Sequence, residues 1–173
     1  MNVYFVDHFS SKAAYHGFIS YVGAYSDAFS LIYFQYSEKE TPRPRVSAGR
    51  NALQPDLIYE EVVTCWPGTE TKNEQGHVYL LRAYRRTFES LAALEIASSL
   101  WDSNYPDFPM DLCFYKNGFS WFASSVHEHW NALYTDKPYM VKDLESLGLR
   151  LTPCDTNNDG VLFFDEKLFG LSP

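Results

Sequence analysis

Short runs of aromatic and β-branched residues, each of strand length, dominate the apolar pattern of this chain. The first two runs, Phe18–Tyr25 and Phe29–Tyr36, flank the polar pair Ser26-Asp27. Two such runs joined by a turn predict an antiparallel hairpin. The runs Leu57–Cys65 and His77–Tyr84 predict a second hairpin, whose tip is a longer polar segment.

A third hairpin is predicted between residues 111 and 125. The runs Asp111–Tyr115 and Phe119–Ser125 flank the tripeptide Lys116-Asn117-Gly118. Asn-Gly supplies the positive φ angles that a type I′ turn requires. Trp130–Tyr134 predicts one further strand.

Two helices are predicted by apolar residues that recur with helical spacing. The first begins at Thr87, a favourable N-terminal cap, and ends at Trp101, with a broad apolar face suited to packing on a sheet. The second runs from Lys137 to Leu147, with Asp136 as its predicted cap. Gly148 follows it, at the position where helices commonly end in a left-handed glycine.

These elements predict an α+β fold, because hairpins and helices are mixed without regular βαβ alternation. We expect a single domain spanning residues 1–173, in which an antiparallel sheet of five to seven strands built from hairpins carries one long helix and one short helix. Between Glu38 and Asp56 lie three prolines and four basic residues, which predict a long loop.

The chain is acidic, with 14 Lys and Arg against 22 Asp and Glu and a net charge of −8. Such a charge repels phosphate backbones, so we expect no nucleic-acid partner, whereas a basic protein or a cation would be attracted. Aromatic residues make up 17% of the chain. Tyr and Trp in that proportion suit a β-rich core or a recognition surface.

The cysteines and the N-terminal residues indicate a cytoplasmic protein. Cys65, Cys113 and Cys154 form no CxxC spacing, so we expect reduced thiols rather than a zinc ribbon or a disulfide framework. The first residues lack the charged and apolar regions of a secretory signal. Ala13–Tyr36 has one formal charge but is too polar to span a membrane.

The segment from Asp155 to Glu166 matches the side-chain positions of an EF-hand calcium loop. Asp155, Asn157 and Asp159 place oxygens at alternate positions, Gly160 permits the sharp turn, and Glu166 is placed to close the shell with two oxygens. Calcium is therefore the one cofactor that the sequence suggests.

The residues that flank this loop favour a different structure. An EF-hand requires a helix running into its first ligand, whereas Gly148 and Pro153 exclude such a helix. Leu149–Cys154 and Val161–Phe164 instead predict two strands joined by a turn of Asp and Asn residues, which is stable without metal. If calcium binds here, we expect an isolated calcium turn that stabilises the fold and not a sensor.

A second candidate metal site is His127-Glu128-His129. Alternate residues of a strand share a face, so His127 and His129 are placed to reach one metal ion, with His77 as a candidate third ligand. The chain has no GxSxG, GxGxxG or P-loop motif. In a strand, Glu60 and Glu61 would point to opposite faces, which argues against a shared-proton dyad.

These observations favour a non-enzymatic binding protein that engages a basic partner. In size, acidity and aromatic content the chain is similar to small cytoplasmic bacterial proteins, including immunity proteins that neutralise a toxin, although no motif supports that likeness. Two alternatives remain: a metal-dependent hydrolase that uses His127 and His129, and a domain stabilised by calcium at Asp155–Glu166.

The hairpin interpretation of residues 149–164 predicts that calcium leaves the stability of the protein unchanged. A ligand that binds only the folded state raises the melting midpoint, so the midpoints in calcium and in EDTA should coincide. Differential scanning calorimetry in the two buffers measures them. A midpoint that rises with calcium concentration would contradict the metal-free turn and favour the calcium-stabilised domain.

Overall fold

The computed structural model describes residues 2–9, 11–35, 51–67, 69–71, 75–84, 109–126 and 130–154. Its helices include α1 (Lys12–Tyr25), a 3₁₀ helix (Gln54–Asp56) and α2 (Pro138–Ser146). Its strands are β1 (Asn2–Phe9), β2 (Ala28–Gln35), β3 (Leu57–Val63), β4 (Cys65–Trp66), β5 (Thr69–Glu70), β6 (Gln75–Arg82), β7 (Met110–Lys116), β8 (Phe119–Ser125), β9 (Trp130–Thr135) and β10 (Leu149–Pro153). The predicted helix Thr87–Trp101 and most of the predicted loop from 38 to 56 lie outside the described residues. Within those residues, no helix is long and apolar enough to cross a membrane.

Among the described residues, eight strands form one antiparallel sheet in the order β10-β1-β9-β8-β7-β2-β6-β3, and β4 pairs with β5 in a separate small sheet. The predicted combination of an antiparallel sheet with helices is confirmed at this level. The predicted number of strands, five to seven, is too low. The main omission is β1, which the sequence pattern did not indicate and which lies between β9 and β10.

The prediction of a strand at Phe18–Tyr25 is wrong, because these residues belong to α1. Ser11 begins the helix, and its Oγ accepts a hydrogen bond from the backbone N–H of Ala14 at 3.1 Å. The buried residues of α1 repeat with helical spacing: Ala14, Tyr15, Phe18, Ile19 and Val22. Burial of this face outweighs the strand preference of its aromatic and β-branched residues. Consequently, β2 pairs with β6 and β7, and the predicted first hairpin does not form.

The hairpin predicted around Asn117-Gly118 is confirmed as β7 and β8. Asn117 and Gly118 have φ angles of 53° and 77°, as the turn requires. Asp27, just before β2, accepts hydrogen bonds from the Asn117 N–H at 2.8 Å and from Lys116 Nζ at 2.7 Å. Partial desolvation opposes ionisation of Asp27, but these two hydrogen bonds lower its pKa below the usual value. The turn is therefore tied to the strand beside it.

The hairpin predicted from residues 57–65 and 77–84 is also confirmed, since β3 pairs with β6. The polar segment predicted as the tip of this hairpin contains paired residues. Cys65 pairs with Glu70, and Trp66 pairs with Thr69, so that β4 and β5 form a small hairpin. Trp66 is only 1% exposed, which shows that this connection packs on the molecule.

One face of the eight-stranded sheet is covered by α1 and α2. Phe18 of α1 packs on Phe114 and Phe122, with ring centroids 5.9 and 5.0 Å apart. Met140 and Leu144 of α2 belong to the same buried cluster. These contacts make the helical face the larger apolar core of the described residues.

The opposite face of the sheet is buried as well. Trp66 packs there in a cluster with Ile32, Val78, Met110 and Val126. A second cluster on this face contains Ala28, Leu80, Cys113, Tyr115 and Ala123. Central strands buried on both faces explain why their sequences read as nearly continuous apolar runs.

The short helix predicted from Lys137 to Leu147 is confirmed as α2, but its N-terminus differs from the prediction. Lys137 occupies the cap position and Pro138 is the first helical residue, so Asp136 is not the cap. Proline suits this position because its φ angle is preset for a helix and it has no N–H to satisfy. Gly148 has a φ of 90°, and β10 follows, so a strand rather than a helix leads toward the predicted calcium loop.

We predict that Gly76→Ala lowers the free energy of unfolding by about 1–3 kcal/mol, which is the usual range for overpacking. A Cβ at this position would lie 2.8 Å from Trp66 Cζ3 and 2.9 Å from Ile32 Cγ2. Urea unfolding followed by circular dichroism measures the change.

Gly17→Ala in α1 is the matched control. Its Cβ would lie 3.1 Å from the flexible end of Leu147, and alanine favours a helix over glycine by about 1 kcal/mol, so its stability should equal or exceed that of the wild type. A Gly76→Ala protein as stable as this control would contradict the close packing of Trp66.

Candidate functional site

The candidate metal ligands of the sequence lie outside the described residues, apart from His77. This applies to the predicted calcium ligands Asp155, Asn157, Asp159 and Glu166, and to His127 and His129. The described residues contain no group of three or more His, Cys, Asp or Glu side chains placed to hold a metal ion. Both metal sites therefore stay predictions.

His77 lies on β6 beside the neighbouring strand β3. Its Nδ1 is 3.6 Å from Glu60 Oε1. The hydroxyl of Tyr79 donates a hydrogen bond to the same carboxylate oxygen at 2.7 Å. Glu60 thus accepts a hydrogen bond from Tyr79 and lies close to an imidazole, and these contacts hold its carboxylate on the helical face of the sheet.

A buried carboxylate, Asp111, joins three segments of the chain on the other face. Asp111 is 1% exposed, and its Oδ2 accepts hydrogen bonds from Trp66 Nε1 at 2.7 Å and from Thr69 Oγ1 at 3.2 Å. Its Oδ1 accepts one from the Val126 N–H at 2.8 Å. Donors to both oxygens offset the cost of burying this polar group.

The backbone at Asp111 has an unusual conformation for a strand residue. Its φ is 51°, in the left-handed region that Asp and Asn adopt more easily than most residues. Ser30 and Ile32 of β2 pair with Cys113 and Met110 of β7, so β7 has one extra residue here, which is a β-bulge. The bulge accompanies the turn of the Asp111 side chain toward Trp66. We therefore assign Asp111 a structural role.

Cys113, two residues further along β7, is a free and fully buried cysteine. Burial raises the pKa of its thiol, and the nearby Asp111 carboxylate raises it further, so the thiol stays protonated at neutral pH. On the same face, the hydroxyls of Tyr115 and Ser30 lie 2.9 Å apart and share a hydrogen bond. Burial likewise raises the pKa of the Tyr115 hydroxyl. These groups suit a polar contact in the core rather than catalysis.

The strand β3 exposes four of its seven residues. We name Ile58, Glu60, Glu61 and Val62, all of which are exposed, the β3 surface. Ile58 and Val62 are 41% and 45% exposed, so two large apolar side chains of this strand face water. Because successive residues of a strand point to opposite faces, exposure of Glu60, Glu61 and Val62 in succession means that both faces are open here.

The two carboxylates of the β3 surface are each held by a tyrosine. Glu60 lies opposite Tyr79 and accepts its hydroxyl hydrogen bond, whereas Glu61 lies opposite Val78 and accepts one from Tyr59. The prediction that the two glutamates point to opposite faces is confirmed. Each hydroxyl donates a hydrogen bond to its carboxylate, which restricts the orientation of both carboxylates.

A groove of about 270 Å³ lies toward the other end of the sheet, between β1, β9 and α2. Its charged residues are Asp136, Lys137, Lys142 and Glu145. The two signs are balanced, so the groove does not favour a ligand of either charge. The β3 surface, which presents two carboxylates, is therefore the stronger candidate for recognition.

Comparison of the chain with protein-family models, with curated proteins and with solved structures finds no match. The sequence pattern did not single out the Trp66 and Asp111 pair, because the two residues are 45 positions apart and each stands beside a turn or strand end. The signal that was present is the tryptophan itself, since a buried Trp N–H usually requires an acceptor.

We predict that Asp111→Asn lowers the free energy of unfolding by about 1.5–3 kcal/mol, the range for hydrogen bonds to a charged group. Asparagine tolerates the positive φ, so the substitution tests the carboxylate and not the backbone. Urea unfolding measures the loss, and the NMR signal of the Trp66 indole N–H should move as its hydrogen bond weakens.

Asp136→Asn, an exposed substitution of the same type, should stay within about 0.5 kcal/mol of the wild type. Equal stabilities of the Asp111→Asn and Asp136→Asn proteins would contradict the anchoring role of Asp111.

Proposed function

We propose that this protein is a non-enzymatic binding protein that engages a basic partner protein through the β3 surface. The observation that supports the proposal is the pair of oriented carboxylates, Glu60 and Glu61, on an exposed strand that also presents Ile58 and Val62. An immunity protein that neutralises a basic toxin is one example of such a function.

Exposed apolar residues beside fixed charges suit a protein interface. Apolar contact with Ile58 and Val62 removes surface from water, which favours association. Glu60 and Glu61 favour partners of opposite charge and disfavour acidic ones. The net charge of −8 adds a long-range attraction for a basic partner, and this attraction weakens as salt screens it.

The same glutamates also fit a simpler role. Charged residues on a strand at the end of a sheet prevent pairing with a second sheet. That role requires only that the charges repel other copies, whereas a binding role requires that a basic ligand bind at β3. Replacing both charges distinguishes the two.

We predict that Glu60→Lys combined with Glu61→Lys weakens binding of a short basic peptide at least about tenfold, because two attractive charge pairs become repulsive. A suitable probe is acetyl-Thr-Val-Lys-Lys-Val-Thr-amide. Its dissociation constant is measured by NMR titration of the ¹⁵N-labelled protein at low salt and at high salt. For the wild type, binding should weaken as the salt concentration rises.

The matched control is Asp143→Lys combined with Glu145→Lys, which changes the net charge equally. Both residues are exposed on α2, which contacts β10 at the opposite end of the sheet. This control should retain most of the wild-type affinity. Equal losses in the two double variants would show a non-specific charge effect. The β3 glutamates would then keep only the role of preventing pairing with a second sheet.

A further inference from the structure

We infer that the basic partner binds by adding a strand to β3, an inference that rests on the proposed function. In the strand order β10-β1-β9-β8-β7-β2-β6-β3, the strand β3 comes last. Among the residues that the structure describes, its one strand neighbour is β6. An extended segment placed along the other side of β3 would continue the antiparallel sheet or add to it in parallel.

The length and exposure of β3 suit this mode of binding. The strand runs from Leu57 to Val63, seven residues, which is longer than the usual strand of about five or six. Exposure on both faces at Glu60, Glu61 and Val62 leaves room for side chains of an added strand above and below the sheet.

The charges on β3 select the added strand. A second copy of this chain pairing through its own β3 would place carboxylates near Glu60 and Glu61, and like charges opposite one another destabilise strand pairing. A strand with Lys or Arg at these positions would instead form favourable cross-strand pairs. Among extended segments, the glutamates thus discriminate against another acidic copy and in favour of a basic one.

The register of β3 specifies the side-chain pattern of the partner. Glu60 and Val62 point to one face, and Tyr59 and Glu61 point to the other. A partner strand would therefore place two consecutive cations opposite Glu60 and Glu61, with an apolar residue on each side opposite Tyr59 and Val62. This apolar-basic-basic-apolar pattern reads the same in both chain directions, so it suits parallel and antiparallel addition alike.

The conformation of β3 is already fixed in the protein without a partner. Val63, the last residue of β3, packs on the cluster that contains the buried Trp66. After Thr64 the chain continues directly into β4, which contains Trp66. Along the inner side, β3 pairs with β6 from Leu57 to Val63. A strand already fixed along its inner side and at its end loses little conformational freedom on binding, which favours association.

The test uses two modified forms of acetyl-Thr-Val-Lys-Lys-Val-Thr-amide, each methylated on the backbone nitrogens of alternate residues. Alternate N–H groups of a strand point to opposite sides, so only one of the two patterns removes the donors that face β3. We expect one methylated peptide to bind like the parent and the other to bind at least about tenfold more weakly, because it loses several hydrogen bonds. Dissociation constants come from NMR titration of the wild-type protein.

Each outcome supports or overturns the inference. Unequal effects of the two methylation patterns, with shifts at the β3 amides, support strand addition. Equal effects, whether both peptides bind or neither does, overturn strand addition while the parent peptide still tests the proposed function. If the parent peptide itself does not bind, or binds with shifts only at β10, the proposed function falls and strand addition falls with it.

Discussion

The hydrogen bond between the buried indole of Trp66 and the buried carboxylate of Asp111 is the contact on which this arrangement depends. Both residues are 1% exposed, and their polar atoms are 2.7 Å apart. A buried carboxylate is costly unless donors satisfy it, so the bond fixes both partners. The bond joins the β4–β5 hairpin to the start of β7. The N–H of Val126, the residue after β8, donates a hydrogen bond to the same carboxylate.

This contact also determines where the candidate site lies. The chain passes from β3 through Thr64 directly into β4, so anchoring Trp66 fixes the end of β3 that carries Glu61 and Val62. Gly76 on β6 lacks the Cβ that would collide with the indole, which lets β6 pass beneath it. A buried polar contact in the core thus supports an exposed charged strand at the end of the sheet.

The sequence predicts correctly those elements whose conformation depends on neighbouring residues along the chain. The turn at Asn117-Gly118 requires positive φ angles, and the sequence shows this directly. The sequence predicts a strand at Phe18–Tyr25, which is the second half of α1, because aromatic and β-branched residues there satisfy both patterns, and only packing on the sheet decides between them. The Trp66 and Asp111 contact spans 45 positions, so no local pattern contains it.

The candidate site was predictable in part. The sequence indicated that Glu60 and Glu61 lie on a strand and point to opposite faces, but their exposure depends on β3 coming last in the sheet, which is a property of the topology. The most direct measurement is amide hydrogen exchange of the protein with and without the basic peptide. Slower exchange confined to β3 is the expected result. Unchanged exchange at β3, or protection at β10 instead, would contradict binding at this strand.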